Sequence, residues 1–270
     1  MARKKTVLVV VAHADDMEFT AAGTIARLID EFGYNVYQYI LTDNSKGSYR
    51  LAPRELIAIS AREAVEAGEV LGLKEVRLDR YADGELNLEQ PNVLREKIMR
   101  MIREVKADIV MSWDPFAPYE DHPDHRVCSM ATLDAAAFSG NPLFHPEHPF
   151  EPYSVTEAYW FAKSPWNAEL VVDITTTMDK KIEALLKHDC QMVLTVDAIV
   201  RQAQALGASV PALENLPPDG HKAIIDAGMR MVCARVGATK GYAYGELFRY
   251  QKFGMLDLFL GTNYVACDFA

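Results

Sequence analysis

Two separate stretches of the chain concentrate histidine and aspartate side chains that could do chemistry. The first, VVVAHADDME (residues 9–18), contains the end of an unbroken apolar run, and the second is DPFAPYEDHPDHR (residues 114–126). Imidazole and carboxylate groups are ligands of Zn²⁺, and they often act as general acids and bases. Six candidate residues result: His13, Asp15, Asp16, His122, Asp124 and His125.

A catalytic zinc site needs only three protein ligands, because its fourth position stays open for water or substrate. His13 and Asp16 are three residues apart and could aim at one point, and His125 would complete a set of two histidines and one carboxylate. Asp15 would then lie free beside the metal, where it could take a proton from a water molecule whose pKa the metal has lowered. The spacing therefore indicates metal-assisted hydrolysis.

The second stretch holds two further candidates for this chemistry. His122 could be held by Asp124 as a protonated imidazole, which would stabilise a developing oxyanion or protonate a leaving amine. Each cluster alone also has an ordinary structural interpretation. Asp15 and Asp16 could cap a helix and complement its dipole, and His13 could be a hydrogen-bonded structural residue. The functional hypothesis depends on the two clusters occurring together.

Strands and helices alternate along the chain, and these elements must position the two clusters. Apolar runs predict strands at 6–12, 35–42, 75–81, 108–113, 156–162 and 170–175. Helical patterns run from Asp16 to a stop at Gly33 and then over 53–72, 93–105, 125–138, 178–207 and 221–236. Both clusters directly follow a predicted strand, and ligands of open α/β sheets bind beyond the carboxyl ends of the strands.

This alternation predicts the fold class and the domain organisation. We expect an α/β fold, namely a Rossmann-like doubly wound, mostly parallel sheet with helices on both faces and C-terminal elaborations. The Pro-rich stretch 141–152 is followed by another strand, so we expect residues 1–270 to form a single domain. The first strand is followed by AHADD and not by GxGxxG, which argues against a dinucleotide site.

The composition argues against several classes of partner. The formal net charge is -10 and basic residues do not cluster, so no binding of nucleic acid is expected. The apolar run at 7–12 is too short for a signal peptide and no stretch is long enough to span a bilayer, so no membrane association is expected. The four cysteines lie far apart without a CxxC pair, which indicates reduced thiols in a cytoplasmic protein.

The combination of AHxDD with HPDH resembles the LmbE-like, or PIG-L, family of zinc-dependent N-deacetylases. The stretches VVDIT (171–175), KIEALLKHDCQM (181–192) and YGELFR (244–249) resemble the branch that contains the diacetylchitobiose deacetylases. The resemblance implies a zinc-dependent hydrolase that removes the N-acetyl group from an N-acetylglucosamine-type amino sugar. The sugar would be free, chitobiose-like or part of a small glycoconjugate, and a metal-activated water would attack its acetamide.

The resemblance also implies the metal ligands and the general base. It makes His13, Asp16 and His125 the ligands of Zn²⁺ and Asp15 the general base. One position departs from the family pattern, because Ala14 stands where the family usually has proline. The absence of proline would leave this turn less rigid, but it removes no ligand.

The resemblance also implies roles for further residues. His122 would be the electrostatic stabiliser or acid, with Asp124 as its orienting partner. Arg62 and Asp83 match positions that contact sugar hydroxyls, although a surface ion pair and a turn residue are equally good interpretations. His188 matches a family histidine whose function here is either structural or supporting.

Three other functions stay open at this point. The chain could be an amidase that acts on a thiol-sugar conjugate in the same family. Two histidines and a carboxylate also hold Fe(II) in oxygenases, although those enzymes characteristically use an all-β scaffold. Finally, the chain could be a non-catalytic sugar-binding relative that keeps the pocket without the chemistry.

Substrate selectivity would come from loops around the site, which we expect at 44–53, 114–121, 139–155 and 208–220. Four aromatic residues could stack on a sugar or simply pack: Tyr49, Phe116, Tyr119 and Trp166. The HPEH stretch at 145–148 is interpreted as a surface loop that leaves the roles of His145 and His148 open. Family members are often trimers or hexamers, so a homo-oligomer is expected, with the apolar stretch 253–261 as an interface strand.

Overall fold

A seven-stranded sheet runs through residues 4–217 and 219–255, which are the residues that the computed structural model describes. Its strands are β1 (Thr6–Val11), β2 (Asn35–Thr42), β3 (Glu75–Tyr81), β4 (Ile109–Trp113), β5 (Glu157–Phe161), β6 (Leu170–Asp173) and β7 (Gly245–Lys252). Their spatial order is β3-β2-β1-β4-β5-β7-β6. The pairs among β1 to β5 are parallel, whereas β7 is antiparallel to both β5 and β6. The prediction of a mostly parallel sheet is confirmed.

The helices follow the predicted order with three differences. They are α1 (Asp16–Thr20), α2 (Ala22–Asp30), α3 (Pro53–Leu71), α4 (Pro91–Val105), α5 (Pro123–Phe138), α6 (Met178–Leu185), α7 (Asp189–Ala205), α8 (Pro211–Glu214) and α9 (Gly220–Ala238), with a 3₁₀ turn at Leu86–Leu88. The short helix α8 lies inside a stretch predicted as a loop. The predicted first helix is broken at Ala21, and the predicted helix at 178–207 is divided in two. Strand β7 was not predicted as a strand.

Local sequence explains several helix ends. Proline occupies the first turn of α3, α4 and α5, where its missing N–H leaves no hydrogen bond unmade. Gly72 ends α3 with a φ of 86°, a left-handed conformation that glycine adopts without the steric cost of a Cβ.

The sheet has a separate apolar core on each face. Alternate residues of β1 point to opposite sides, so that Val7, Val9 and Val11 belong to one core and Leu8 and Val10 to the other. The first core is covered by residues of α1, α2, α3 and α6, and the second by residues of α4 and α5. The predicted arrangement of helices on both faces is confirmed.

A buried ion pair holds the junction between α1 and α2. The Lys181 Nζ donates to the backbone carbonyls of Glu18 and Phe19 at 2.8 and 2.9 Å, and it lies 2.8 Å from the Glu246 carboxylate. The same carboxylate accepts hydrogen bonds from the first backbone N–H groups of α2, Gly23 and Thr24. Since helix ends leave such groups without partners, the pair allows the chain to bend inside the core. The pair thereby fixes the C-terminal end of α1, which lies away from the first cluster.

Some expectations fall partly or wholly outside the described residues. Only 253–255 of the predicted interface strand at 253–261 is described, and these residues form no strand. Cys267 is not described, and the three described cysteines, Cys128, Cys190 and Cys233, are buried and free. Within the same described ranges, no helix combines the length and apolarity needed to cross a bilayer. A single domain over 1–270 stays a prediction.

Replacement of Lys181 by Met is expected to destabilise the protein by about 3 to 5 kcal/mol, because it leaves the Glu246 carboxylate buried without its cation. The side chains of Lys181 and Glu246 are 0% and 2% exposed. Urea unfolding would measure the loss, and the double variant Lys181→Met/Glu246→Gln should lose less than the single variant. The matched control is Lys180→Met, which breaks a surface pair with Asp30. Equal losses for the two single variants would contradict the prediction.

Candidate active site

The two sequence clusters meet at one edge of the sheet. Strands β1 and β4 pair directly, and both clusters begin where these strands end. After β1 the chain makes a tight turn in which the Ala12 and His13 N–H groups donate to Asp16 Oδ2 at 3.1 and 2.9 Å. The loop after β4 leads into α5, whose first turn contains His125. Topology therefore brings together residues that are more than a hundred positions apart in sequence.

Three donor atoms converge at this edge. His13 Nδ1 and His125 Nε2 are 3.1 Å apart, and Asp16 Oδ1 lies 3.2 Å from the His125 nitrogen and 3.7 Å from the His13 nitrogen. Ligands bound tetrahedrally to Zn²⁺ at about 2.05 Å lie about 3.3 Å from one another. All three side chains are buried. The residues therefore fit a divalent cation, and they form a histidine and aspartate cluster that could bind one.

Carboxylates hold the opposite nitrogen of each of these imidazoles. His13 Nε2 lies 3.1 Å from Asp83 Oδ1 and 3.5 Å from Asp124 Oδ2, and His125 Nδ1 lies 3.0 Å from Glu120 Oε1. An imidazole that donates its N–H to a carboxylate presents the lone pair of its other nitrogen to a metal. The carboxylates thus fix both the ring orientation and the tautomer that metal binding requires.

Trp113 connects the second cluster to the first. Its indole Nε1 donates to Asp16 Oδ2 at 2.8 Å, and its ring stacks on His125 with a centroid distance of 3.9 Å and an interplanar angle of 10°. Sequence reasoning missed both Trp113 and Glu120. Their positions held a usable signal, because Trp113 is the last residue of β4 and Glu120 lies inside the second cluster.

Asp15 lines the cavity and is not used as a helix cap. It occupies the N-cap position of α1 but makes no capping hydrogen bond with its side chain. Burial raises the pKa of Asp15 to about 6, and the neighbouring Asp16 carboxylate acts in the same direction. The group is therefore a carboxyl that can both take up and release a proton near neutral pH.

His122 differs from the expectation of a protonated imidazole held by the Asp124 carboxylate. Its Nδ1 instead accepts a hydrogen bond from the backbone N–H of Asp124 at 3.2 Å. Burial and the nearby His13 and His125 rings lower the pKa of His122, which favours the neutral form. The predicted pairing fails because the Asp124 carboxylate accepts from the N–H groups of Gly84 and Leu86 and faces His13.

The two residues proposed to contact sugar lie in very different places. Asp83 is buried and lines the cavity, where one oxygen faces His13 and the other accepts from the Lys46 N–H at 2.9 Å. Arg62 does not line the cavity. Its side chain is 64% exposed and lies 3.5 Å from Glu66, which corrects its assignment as a substrate contact. The reason is helical geometry, because the next residue, Glu63, takes the inward face of α3.

The backbone at Ala14 explains the departure from proline at this position. The Ala14 N–H donates to the side-chain oxygen of Asn44 at 3.1 Å, and proline has no N–H to donate. Asn44 is itself buried, lines the cavity and has a φ of 56°. The turn is therefore held by a hydrogen bond that it donates to the loop after β2.

The donor cluster lies in a cavity of about 830 Å³ whose rim only partly matches the expectation. Residues between Asn44 and Tyr49 line it, but none of the described residues of 114–121, 139–155 or 208–220 does. The rest of the rim comes from 162–165 and from α7, α9 and β7. The helices α7 and α9 were predicted as elements, but their place at the rim was not, and β7 was not recognised as a strand.

The remaining aromatic and histidine candidates lie outside the cavity, with one exception. Tyr49 lines it, whereas the side chains of Phe116, Tyr119 and Trp166 are exposed elsewhere. His188 is fully buried behind the site, with its Nε2 3.5 Å from the Glu18 carboxylate.

The HPEH stretch forms a separate group away from the cavity. His148 lies between the Glu96 carboxylate and the Arg103 guanidinium, and His145 pairs with Glu147. With both its nitrogens engaged, His148 serves the packing of this connector.

Comparisons with known proteins agree with this geometry. The family model described as PIG-L, GlcNAc-PI de-N-acetylase, matches residues 8–136. Diacetylchitobiose deacetylase of Thermococcus kodakarensis is 31% identical over 193 residues, which cover 69% of this chain and 70% of that protein. A probable N-acetyl-alpha-D-glucosaminyl L-malate deacetylase 2 of Bacillus anthracis is 28% identical over 209 residues, covering 75% and 88%. The structure of N,N'-diacetylchitobiose deacetylase from Pyrococcus horikoshii superposes with a TM-score of 0.74 at 28% identity, covering 92% of this chain and 84% of that one.

Glu120→Gln is expected to weaken binding of Zn²⁺ by about 10- to 100-fold, because the amide cannot replace the carboxylate that orients His125. Competition with a chromogenic chelator would measure the affinity. Glu147→Gln is the matched control, since it removes a carboxylate from the other group of histidine and glutamate side chains, at 145–148. If Glu147→Gln weakened binding and Glu120→Gln did not, the assignment of the metal centre would be wrong.

Proposed function

Because the chain belongs to the PIG-L family of de-N-acetylases, we propose that it hydrolyses the acetamide of a small N-acetylglucosamine-type amino sugar. The chain is a deacetylase of the chitobiose and GlcNAc-malate type, a hydrolase that acts on an amide. The observation that carries the proposal is the free Asp15 carboxyl beside three converging donor atoms in one cavity. Free N-acetylglucosamine, its β-linked dimer and a small glycoconjugate all present the same reacting group.

Zinc is the ion that we propose for this centre, with His13, Asp16 and His125 as its ligands. Two imidazoles and one carboxylate with an open fourth position are typical of catalytic zinc. When bound, the ion would polarise the acetamide carbonyl and lower the pKa of a water molecule. The chain's own residues must supply the proton transfers and the orientation.

Asp15 is the general base and later the acid in this proposal. Its carboxylate takes a proton from the attacking water while the water oxygen forms a bond to the acetamide carbon. The same carboxyl then delivers the proton to the amide nitrogen as the C–N bond breaks. Acetate and a free amine leave the site, and Asp15 returns to its initial state.

His122 stabilises the tetrahedral oxyanion in this proposal as a neutral hydrogen-bond donor. Its Nδ1 accepts from the Asp124 N–H, so that a neutral ring carries its proton on Nε2. A fixed N–H aimed at developing negative charge costs no reorganisation during the reaction. Asp124 therefore acts through its backbone on His122 and through its carboxylate on His13.

Other parts of the earlier expectation remain proposals. Asp83 lines the cavity beside His13 and could accept a hydrogen bond from a sugar hydroxyl. A trimeric or hexameric assembly and a cytoplasmic location remain predictions from the resemblance and the cysteine pattern. Light scattering on the purified protein would establish the assembly.

Asp15→Asn should lower kcat for acetate release by about 10²- to 10⁴-fold while leaving Zn²⁺ bound, because the amide cannot accept the proton. The assay would use N-acetylglucosamine and its β-linked dimer, with metal content measured in parallel. His13→Ala should lose both the metal and the activity, and EDTA should abolish turnover reversibly. Asp121→Asn is the control, since its side chain is 83% exposed, pairs with Lys163 and does not line the cavity. The proposal would be wrong if the zinc-loaded protein released acetate from none of the acetylated amino sugars tested.

A further inference from the structure

The cavity that contains the candidate catalytic groups has two halves of different chemistry. One half holds the imidazoles and carboxylates together with the loop from Asn44 to Tyr49. The other half is formed mainly by α7, α9 and β7. Residues at positions i, i+3, i+4 and i+7 share one face of a helix, and α9 turns such a stripe towards the cavity. The stripe consists of Met229, Val232, Cys233 and Val236.

Apolar side chains from other elements face the same space. Phe19 comes from α1, Leu194 from α7 and Leu247 from β7, and each is only partly buried within the protein. We define the apolar wall as these three residues together with Met229, Val232 and Val236. The wall is continuous with the reacting centre, because it lines the same cavity as Asp15.

Polar groups in this half of the cavity are engaged within the protein. The Glu246 carboxylate is used by Lys181 and by the start of α2. The Gln191 side-chain amide donates to the backbone carbonyl of Gly47, and the Thr20 hydroxyl donates to the Asp16 carbonyl at 2.6 Å. Sugar hydroxyls placed here would lose hydrogen bonds to water without replacement. The wall therefore favours an apolar ligand group.

The size of the cavity supports the same conclusion. A volume of about 830 Å³ is in the range that encloses a drug-sized molecule, which exceeds a single amino sugar. An amino sugar whose acetamide lies at the candidate catalytic groups fills only part of this volume. The space along the apolar wall is left for a further part of the substrate.

We infer that the substrate of this enzyme carries an apolar chain that packs on the apolar wall while its amide lies at Asp15. The inference rests on the proposed function and narrows its substrate class. The chain is attached either at the glycosidic oxygen of the sugar or as an N-acyl group longer than acetyl. An apolar chain at either position would make the same contacts with the wall, and the experiment distinguishes the two positions.

The test compares kcat/KM of the zinc-loaded protein for matched substrates. A hexyl β-glycoside of N-acetylglucosamine should exceed the methyl β-glycoside by about tenfold or more if the chain is glycosidic. The methyl β-glycoside of N-hexanoylglucosamine should exceed that of N-acetylglucosamine by a similar factor if the chain is the acyl group. Calorimetry with the hexyl and methyl β-glycosides of glucosamine gives a readout without turnover, and a tenfold ratio of Kd is expected for a glycosidic chain.

The double variant Val232→Ser/Val236→Ser should reduce the ratio of kcat/KM between the long-chain and the short-chain substrate towards one. The substitutions make the wall polar without filling the cavity. Met231→Ser is the matched control on the same helix, because its 59% exposed side chain does not line the cavity. The control should keep the wild-type ratio. An equal effect of both variants would show that the wall is not the site of discrimination and would overturn the inference.

The two proposals fail in different ways. If the methyl glycoside of N-acetylglucosamine is deacetylated but neither longer chain raises kcat/KM, the inference on the apolar chain is overturned and the proposed function stands. If no substrate is turned over, the proposed function fails. Equal binding of the hexyl and methyl glucosaminides, together with equal binding of the methyl β-glycosides of N-hexanoylglucosamine and N-acetylglucosamine, then overturns the inference as well.

Discussion

The candidate active site depends on one carboxylate, that of Asp16. Its Oδ2 accepts from the backbone N–H groups of Ala12 and His13 and from the Trp113 indole, and this leaves Oδ1 to face His13 and His125. One oxygen therefore fixes the turn after β1 and ties it to the end of β4. The other oxygen completes the donor set. Because every partner is buried, the carboxylate cannot turn away without leaving several donors unsatisfied.

Negative charge is concentrated around the imidazoles. Burial opposes ionisation of Asp16, but His125 and His13 outweigh it and hold the pKa of Asp16 well below its usual range. Burial also disfavours the charged form of His13 and so lowers its pKa. The Asp124, Asp16 and Asp83 carboxylates outweigh this effect, and the pKa of His13 is raised overall. Buried charges are retained only when they are paired or bind a metal. A cluster with more carboxylates than cations is therefore suited to a divalent ion.

Chemistry and substrate fit are supplied by different parts of the chain. The donor atoms and Asp15 come from the ends of β1 and β4, as expected for a doubly wound sheet. The apolar side of the cavity comes from later elements, namely α7, α9 and β7. Strand β7 contacts both parts. Its Glu246 accepts a hydrogen bond from the start of α2, and its Leu247 lines the cavity.

The sequence by itself determined β1 to β6 in their order along the chain, the two clusters and the roles proposed for them, but it did not determine β7. It could determine these features because a strand buried on both faces has an unbroken apolar sequence, as β1 has, and because metal chemistry favours a few residue types, here His and Asp. Only the tertiary structure decided which carboxylate faces which ring. Asp124 turned out to face His13 and not His122, and Glu120 faces His125. It also decided that Arg62 lies on the surface. Such contacts depend on distances between elements far apart in sequence, and local patterns contain no information about those distances.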